Sequence, residues 1–332
     1  MRRVIAALLL LVVTVACSGS PPGASSTSSS PADGTTLPQP SVSRTAASPS
    51  RTAVATPTPR ATSRPAMNAR AVFRDIVYLA SDIGPREATS DNYAEAATFV
   101  QARFERLGYD VRRTEVPVPS GISWGTPVRR GTSLNIIAEP NGFDAKQPHV
   151  VIGAHLDTVP VAPGAEDNAS GIAVMLQLAA MVGQQPAALP VQFIAFGAEE
   201  PRGSGDALHH FGSRQHVAGL SRPERRAIQA MVSLDRVGVR ANYVPICTAT
   251  DSGTRVRDAM RAAARQAQIT TRACTNYTSD HWSYAKAGVP AVRLGSIPYA
   301  GYHSRGDVPR VVDRRQLDRV GRTVWAWLQA LN

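Results

Sequence analysis

The sequence predicts an α/β fold in which a largely parallel sheet is covered by helices on both faces. Short apolar segments typical of strands alternate with segments whose apolar residues recur at helical spacing. Residues 149–153 (HVVIG) and 191–196 (VQFIAF) are nearly continuous apolar runs, as expected for buried central strands. The alternation starts near residue 67 and continues to the end of the chain.

The predicted elements follow from these patterns in chain order. Strands are predicted at residues 109–118, 134–138, 149–153, 191–196, 228–234, 243–247 and 291–294. Helices are predicted at residues 71–80, 94–107, 169–181, 203–218, 252–267, 279–287 and 313–330. Asp313 is expected to cap the last helix, with Gln316 completing a capping box.

The first 17 residues are predicted to be an export signal. Arg2 and Arg3 precede an apolar run over residues 4–13, which is too short to span a membrane. Residues 14–17 (TVAC) resemble a bacterial lipobox, which implies that lipid on Cys17 anchors the mature chain to a membrane surface. An ordinary cleaved signal with an incidental cysteine is the alternative, and both interpretations predict export.

Residues 18–66 are predicted to form a flexible stalk. Ser, Thr and Pro occupy 29 of these 49 positions and no residue is aromatic, so the segment cannot bury enough apolar surface to fold. Its composition leaves open whether it carries O-linked sugars or serves only as a spacer. The folded domain is therefore expected over residues 67–332, and we expect it to be a monomer.

Charge and cysteine content narrow the possible partners. The formal charge is +11, but residues 1–67 hold six Arg and one Asp, and the rest shows no cluster of basic and aromatic residues. We therefore expect no nucleic-acid partner. Cys247 and Cys274 remain in the folded part, and in an exported protein we expect a disulfide between them rather than two free thiols.

Acidic residues and histidines occur where the predicted strands end. Seven of them lie at a carboxyl strand end or in the loop that follows it: His155, Asp157, Asp167, Glu199, Glu200, Asp235 and His303. Taken alone, each has an ordinary explanation, such as a helix cap for Asp167 or a solvated surface for the glutamate pair. Together they lie at the edge where open α/β sheets bind ligands, which indicates a functional site.

The residue types indicate metal-dependent hydrolysis. Carboxylates mixed with imidazoles suit Zn²⁺. Five such ligands exceed the needs of one tetrahedral ion and fit two ions about 3.5–4 Å apart that share a bridging carboxylate. One carboxylate of the Glu199–Glu200 pair would then be left to act on water as a general base.

Several segments resemble the signature blocks of the family-28 metallopeptidases, the co-catalytic di-zinc aminopeptidases and their relatives. The blocks are GAHLD at residues 153–157, EDNASG at 166–171, FGAEE at 196–200, LD at 234–235, SDH at 279–281 and YH at 302–303. The resemblance covers about residues 72–331. It implies a three-layer α/β/α sandwich around a mixed, mainly parallel sheet of about eight strands.

The resemblance also implies how the metal ligands divide. His155 and Asp235 would bind one zinc ion, Glu200 and His303 would bind the other, and Asp167 would bridge the two.

It further implies roles for the remaining side chains. Glu199 would be the general base, Asp157 would orient His155 through the second ring nitrogen, and Tyr302 would stabilise the oxyanion. The sequence departs from the family pattern at Arg236, where relatives commonly carry Met, and at residues 201–205 (PRGSG). Neither departure removes a predicted ligand.

The implied activity is that of an exported zinc aminopeptidase acting on peptides. The acidic cluster would also attract a free α-ammonium group. A carboxypeptidase, an amidohydrolase and a single-zinc glutaminyl cyclase on the same scaffold are alternatives, as is a non-catalytic surface binding protein.

Overall fold

The computed structural model describes residues 65–331. The predicted signal peptide, Cys17 and the predicted stalk up to residue 64 lie outside the described residues. Among the helices that the structure does describe, none has both the length and the apolar character needed to cross a membrane.

A mixed eight-stranded sheet forms the centre of this region. The described residues form ten strands, eight of which make up this sheet: β1 (Asp110–Val118), β2 (Gly121–Ser123), β3 (Thr126–Val128), β4 (Gly131–Glu139), β5 (His149–His155), β6 (Val191–Phe196), β7 (Ile228–Asp235), β8 (Val244–Thr248), β9 (Thr271–Thr275) and β10 (Ala291–Gly295). The sheet order is β1-β4-β6-β5-β7-β10-β8-β9, and β2 pairs with β3 as a separate hairpin. Four of the seven pairings in the sheet are parallel, which confirms the predicted mixed, mainly parallel sheet.

Helices cover both faces of the sheet. They are α1 (Ala69–Val77), α2 (Asp91–Arg106), α3 (Ser170–Gln184), α4 (Phe211–Gly219), α5 (Arg222–Ala227), α6 (Thr254–Gln266), α7 (His281–Lys286) and α8 (Arg314–Gln329). One apolar core joins the sheet to α1, α2, α3, α6 and α8, and a second joins its other face to α4 and α7. The predicted three-layer sandwich is therefore confirmed.

Strand β5 determines where a site can form. All seven of its residues are buried, and it pairs in parallel with β6 on one side and β7 on the other. From β5 the chain crosses first to β6 on one side and afterwards to β7 on the other side of β5. Such a change of direction opens a crevice at the carboxyl ends of the strands, and His155 is the last residue of β5.

Two predicted elements are wrong in detail. In place of the predicted helix 203–218, the α-helix begins only at Phe211 and ends at Gly219, because Gly205 has a φ of 86° and breaks the segment; a single 3₁₀ turn, Asp206–Leu208, precedes α4. Asp313 does cap α8, accepting hydrogen bonds from the N–H groups of Arg315 and Gln316. The capping box does not form, because the Gln316 amide donates to the Tyr243 carbonyl instead, at 2.9 Å.

The edge of the sheet carries a strand that the sequence pattern does not predict. Strand β9 (TRACT) is mostly exposed or half-buried, so it lacks the apolar run that marks the other strands. It pairs in parallel with β8 and brings Cys247 opposite Cys274. The two sulfur atoms are bonded, which confirms the predicted disulfide.

Candidate active site

The structure brings the five predicted metal ligands together at the carboxyl edge of the sheet. Nε2 of His155 lies 3.1 Å from Oδ1 of Asp167, and Nε2 of His303 lies 3.1 Å from Oδ2 of the same carboxylate. The His303 nitrogen is also 3.2 Å from Oε2 of Glu200. On the opposite side, Oδ1 of Asp235 lies 3.8 Å from the His155 nitrogen. Asp167 thus stands between two groups of ligands, with one oxygen toward each.

The loop that carries Asp167 is held by a residue that the sequence reasoning missed. The carboxylate of Asp307 accepts hydrogen bonds from the backbone N–H groups of Glu166 (2.8 Å) and Asp167 (3.0 Å). Tyr299 donates its hydroxyl hydrogen to the same carboxylate at 2.9 Å. Asp307 lies 140 residues beyond Asp167 in a loop with no motif around it, so only its proximity in space reveals this contact.

Arg86 supports the start of the loop that carries Asp167, and the sequence does not predict this role either. Its fully buried guanidinium donates to the carbonyls of Leu156 (3.1 Å), Pro163 (2.7 Å) and Gly164 (3.1 Å). Buried carbonyls need such donors, since an unpaired buried polar group is costly. In the sequence, nothing separates this arginine from the many others.

Asp157 holds the glutamate pair rather than binding His155 directly. Its carboxylate accepts hydrogen bonds from the backbone N–H groups of Glu199 and Glu200, both at 3.0 Å. Nδ1 of His155 is 3.1 Å from the backbone carbonyl oxygen of Asp157 but 3.8 Å from its carboxylate. The ring of His155 is therefore oriented by the Asp157 main chain, and the Asp157 side chain fixes the turn that carries both glutamates.

Glu199 and Glu200 point toward different partners. Glu200 faces His303, whereas Oε1 of Glu199 lies 3.3 Å from Nε2 of His210. The other nitrogen of His210 is 3.6 Å from Asp206. The pKa of Glu199 is raised to about 8, mainly by burial and also by the nearby carboxylate of Asp235, against a lowering by His155. A group with such a pKa can both take up and release a proton near neutral pH.

Asp235 is paired with an arginine that the sequence reasoning did not single out. Nη2 of Arg293, a buried residue of β10, lies 2.9 Å from Oδ2 of Asp235. Although burial raises the pKa of Asp235, the Arg293 guanidinium lowers it, and the result is below the ordinary value. Oδ1 of Asp235 is buried and has no hydrogen-bond partner among the described residues. One carboxylate oxygen is thus occupied and the other faces the site.

Aromatic residues form the outer wall of a cavity of about 370 Å³ above these groups. Tyr302, the predicted oxyanion donor, is exposed and stacks on His303 with ring centroids 3.7 Å apart. Trp124, from the turn between β2 and β3, packs edge-on against the His303 ring at 4.4 Å. Neither this tryptophan nor the β2–β3 hairpin is predicted from the sequence.

The donor set fits divalent metal ions. Two groups of three side chains each present ligand atoms within 4.8 Å of one another, close enough to share an ion: His155 with Asp167 and Glu200, and His155 with Glu199 and Asp235. The pKa of Glu200 is also raised to about 8, mainly by burial and in addition by repulsion from the carboxylates of Asp167 and Glu199, against a lowering by His303. Cations between them would offset this repulsion, and imidazole with carboxylate suits zinc.

Comparisons with known proteins agree with this geometry. The sequence model of peptidase family M28 matches residues 135–328. The aminopeptidase YwaD of Bacillus subtilis is 31% identical over 206 residues, which cover 59% of this chain and 44% of YwaD. The probable lipoprotein aminopeptidase LpqL of Mycobacterium tuberculosis is 37% identical over 130 residues, which cover 39% of this chain and 24% of LpqL. The chain therefore spans less than half the length of these curated relatives.

Solved structures share the fold. The zinc aminopeptidase BSAP of Bacillus subtilis superposes with a TM-score of 0.69 at 19% identity, covering 80% of this chain and 96% of BSAP. A glutaminyl cyclase of Bacteroides thetaiotaomicron superposes with the same TM-score and identity, covering 81% of this chain and all of the cyclase chain. Two different activities therefore occur on this fold, so the fold alone does not select between them.

Proposed function

Because the chain belongs to peptidase family M28, we propose that it is an exported, zinc-dependent aminopeptidase that removes N-terminal residues from peptides. The observation that carries this proposal is the position of Asp167, whose two carboxylate oxygens each lie 3.1 Å from a different histidine, His155 and His303. A carboxylate with one oxygen toward each of two ligand groups is the arrangement that a shared bridging ligand requires.

The remaining ligands would divide between two zinc ions as the resemblance to the family implies. His155 with Asp235 would hold one ion and Glu200 with His303 the other, with Asp167 common to both. Bound zinc supplies Lewis-acid polarisation of the scissile carbonyl and lowers the pKa of water. Arg293 keeps one oxygen of Asp235 engaged, so that this ligand presents its other oxygen to the site.

Proton transfer falls to Glu199. Its carboxylate would accept a proton from the attacking water and return it to the amine of the departing peptide. Its raised pKa, about 8, suits a group that must do both, and Asp157 and His210 hold it in place. The Tyr302 hydroxyl, at the edge of the cavity, would donate a hydrogen bond to the developing oxyanion.

Export and anchoring belong to the same proposal. The apolar run and Cys17 near the start of the chain support a lipid-anchored protein on the outer side of the cell membrane, or a secreted one if Cys17 is not modified. A relative described as a probable lipoprotein aminopeptidase supports the anchored form. Residues 18–66 would then act as a stalk between the membrane and a monomeric catalytic domain that acts on peptides and does not bind nucleic acid.

The test is release of amino acids from free and N-acetylated peptides by the full chain, before and after chelation and after zinc is restored. We expect release from free peptides only, loss of activity on chelation and recovery with two zinc ions per chain. Cleavage of blocked peptides, or activity indifferent to chelation, would exclude an aminopeptidase of this kind. Cyclisation of N-terminal glutamine with one zinc ion per chain would assign the protein to the cyclases instead.

A further inference from the structure

The Arg236 side chain makes no hydrogen bond with any residue of the part of the chain that the structure describes. Its guanidinium lines the cavity beside Asp235, and the side chain is only 12% exposed. Among the described residues, this side chain forms one ion pair, with Asp235. Its Nε lies 3.7 Å from Oδ1 of Asp235, which is too far for a hydrogen bond. Because the guanidinium lines the cavity, its donors are available to an acceptor on a ligand bound there.

The conformation of Arg236 aims it into the cavity. Its backbone is left-handed, with a φ of 56°, which is uncommon for a residue other than glycine. This turn places the guanidinium carbon 4.4 Å from the centroid of the Tyr302 ring, where a cation–π contact holds it at the cavity wall. The side chain is thus held in position without its hydrogen-bonding capacity being consumed.

The charge balance of the cavity indicates which kind of ligand it would bind. Four carboxylates and two arginines line it: Asp167, Glu199, Glu200, Asp235, Arg236 and Arg293. With two zinc ions the lining would carry an excess of two positive charges. Without these arginines, the net charge of the lining with two zinc ions would be near zero. The arginines therefore favour a ligand that carries a negatively charged group.

The size of the cavity restricts the ligand further. A volume of about 370 Å³ is near the lower end of the range for small-molecule pockets, about 300–1,000 Å³. A short peptide would place its own C-terminus inside such a cavity. A guanidinium recognises a carboxylate through paired N–H donors, more specifically than a lysine would.

Resting on the proposed function, we propose that Arg236 binds a substrate carboxylate and makes the enzyme selective for dipeptides, whose free C-terminus supplies that group. The acidic side chain of a longer substrate has the same chemistry and is the second source to be distinguished. In either case Arg236 determines specificity and takes no part in the proton transfer.

The experiment compares leucyl-leucine with leucyl-leucinamide in the zinc-loaded full chain and in its Arg236→Met variant. Wild-type kcat/KM should be about 10–100-fold higher for the acid than for the amide, because one charge-assisted hydrogen-bonded pair is lost in the amide. In Arg236→Met this ratio should fall toward one, and Arg236→Lys should keep part of it. A second pair of substrates, the α-amides of leucyl-glutamate and leucyl-glutamine, tests for recognition of a side-chain carboxylate. If the wild type prefers the glutamate compound and Arg236→Met abolishes that preference, Arg236 binds a carboxylate, but the selected substrates are acidic peptides rather than dipeptides.

Arg240→Met is the matched control. It removes one positive charge from a side chain that is 88% exposed and lies outside the cavity lining, and its acid-to-amide ratio should equal that of the wild type. Equal rates for acid and amide in the wild type, or an equal fall for both in Arg236→Met, would overturn the proposal. The second result would mean that Arg236 only orders Tyr302.

A binding measurement separates this inference from the proposed function. Calorimetric titration of a Glu199→Gln background with leucyl-leucine and leucyl-leucinamide should show the same preference for the acid, and its loss when Arg236→Met is added. If the wild type hydrolyses none of these compounds, the aminopeptidase proposal fails, while the calorimetric preference still decides whether Arg236 binds a carboxylate.

Discussion

Arg293 and Asp235 form a buried ion pair on neighbouring strands, with Nη2 of the arginine 2.9 Å from Oδ2 of the aspartate. The arginine is further held by Asn276 and Thr278, to which Nη1 donates at 2.9–3.1 Å. Asp235 is a predicted zinc ligand, so this pair sets how much negative charge the aspartate offers to a metal. It links the central strands of the sheet to the chemistry of the site.

Replacing Arg293 by Met should destabilise the metal-free protein, prepared with a chelator, by about 3–5 kcal/mol, because the buried Asp235 carboxylate loses its partner. The loss should be smaller in the zinc-loaded protein, where the cation offsets the same charge. Urea unfolding of both forms measures the difference. Arg257→Met, which breaks a surface pair with Asp258, should cost less than about 1 kcal/mol in either form. Equal losses with and without zinc would show that Asp235 is not a ligand.

The Glu199→Gln variant should retain its fold and zinc content but lose at least about 100-fold in kcat, the lower range for the loss of a general base. Zinc analysis, circular dichroism and turnover of a leucine anilide check the three parts separately. Glu224→Gln, a change in the exposed capping box of α5, is the control and should leave turnover intact. Near wild-type turnover in Glu199→Gln would assign the base to another residue.

His210→Asn should lower kcat about tenfold with little change in KM or in zinc content. His210 Nε2 lies 3.3 Å from Glu199 and orients the carboxylate rather than touching substrate, and partners of this kind are typically worth about 10–100-fold. His149→Asn, at the opposite end of β5, serves as the control. A rise in KM alone would instead place His210 in substrate binding.

His216 should make the fold sensitive to acid. It is buried in α4 against the Tyr284 hydroxyl, and burial lowers its pKa from 6.5 to about 3. The unfolded chain takes up this proton below about pH 6.5, whereas the folded chain does not. The stabilising contribution is therefore complete above pH 6.5 and is lost as the pH falls toward 3.

The measurement is the free energy of unfolding of the metal-free protein as a function of pH, for the wild type and for His216→Gln. Between pH 6 and 4 the wild-type curve should fall more steeply than that of the variant, by up to about 1.4 kcal/mol per pH unit. Above pH 7 the two slopes should coincide, which is the internal control. Parallel curves throughout would mean that His216 is not buried as a neutral group.

The sequence by itself determined where seven of the eight strands of the sheet lie along the chain and which polar residues stand at their carboxyl ends. Burial imposes a local apolar pattern, so strands β5, β6 and β7 can be read from neighbouring residues, and His155, Glu199 and Asp235 follow from where those patterns stop. The disulfide was also predictable, because it needs only two cysteines and an oxidising compartment.

The tertiary structure alone decided which side chains support these residues. Arg293 meets Asp235 from a strand 58 residues further along the chain, and Asp307 caps the Asp167 loop from 140 residues away. Neither contact leaves a local pattern, because each satisfies a buried charge or N–H group through space rather than through periodic spacing. The same reason explains Asp157: its position next to His155 was evident, but its carboxylate is directed to the glutamate turn because two buried N–H groups there require an acceptor.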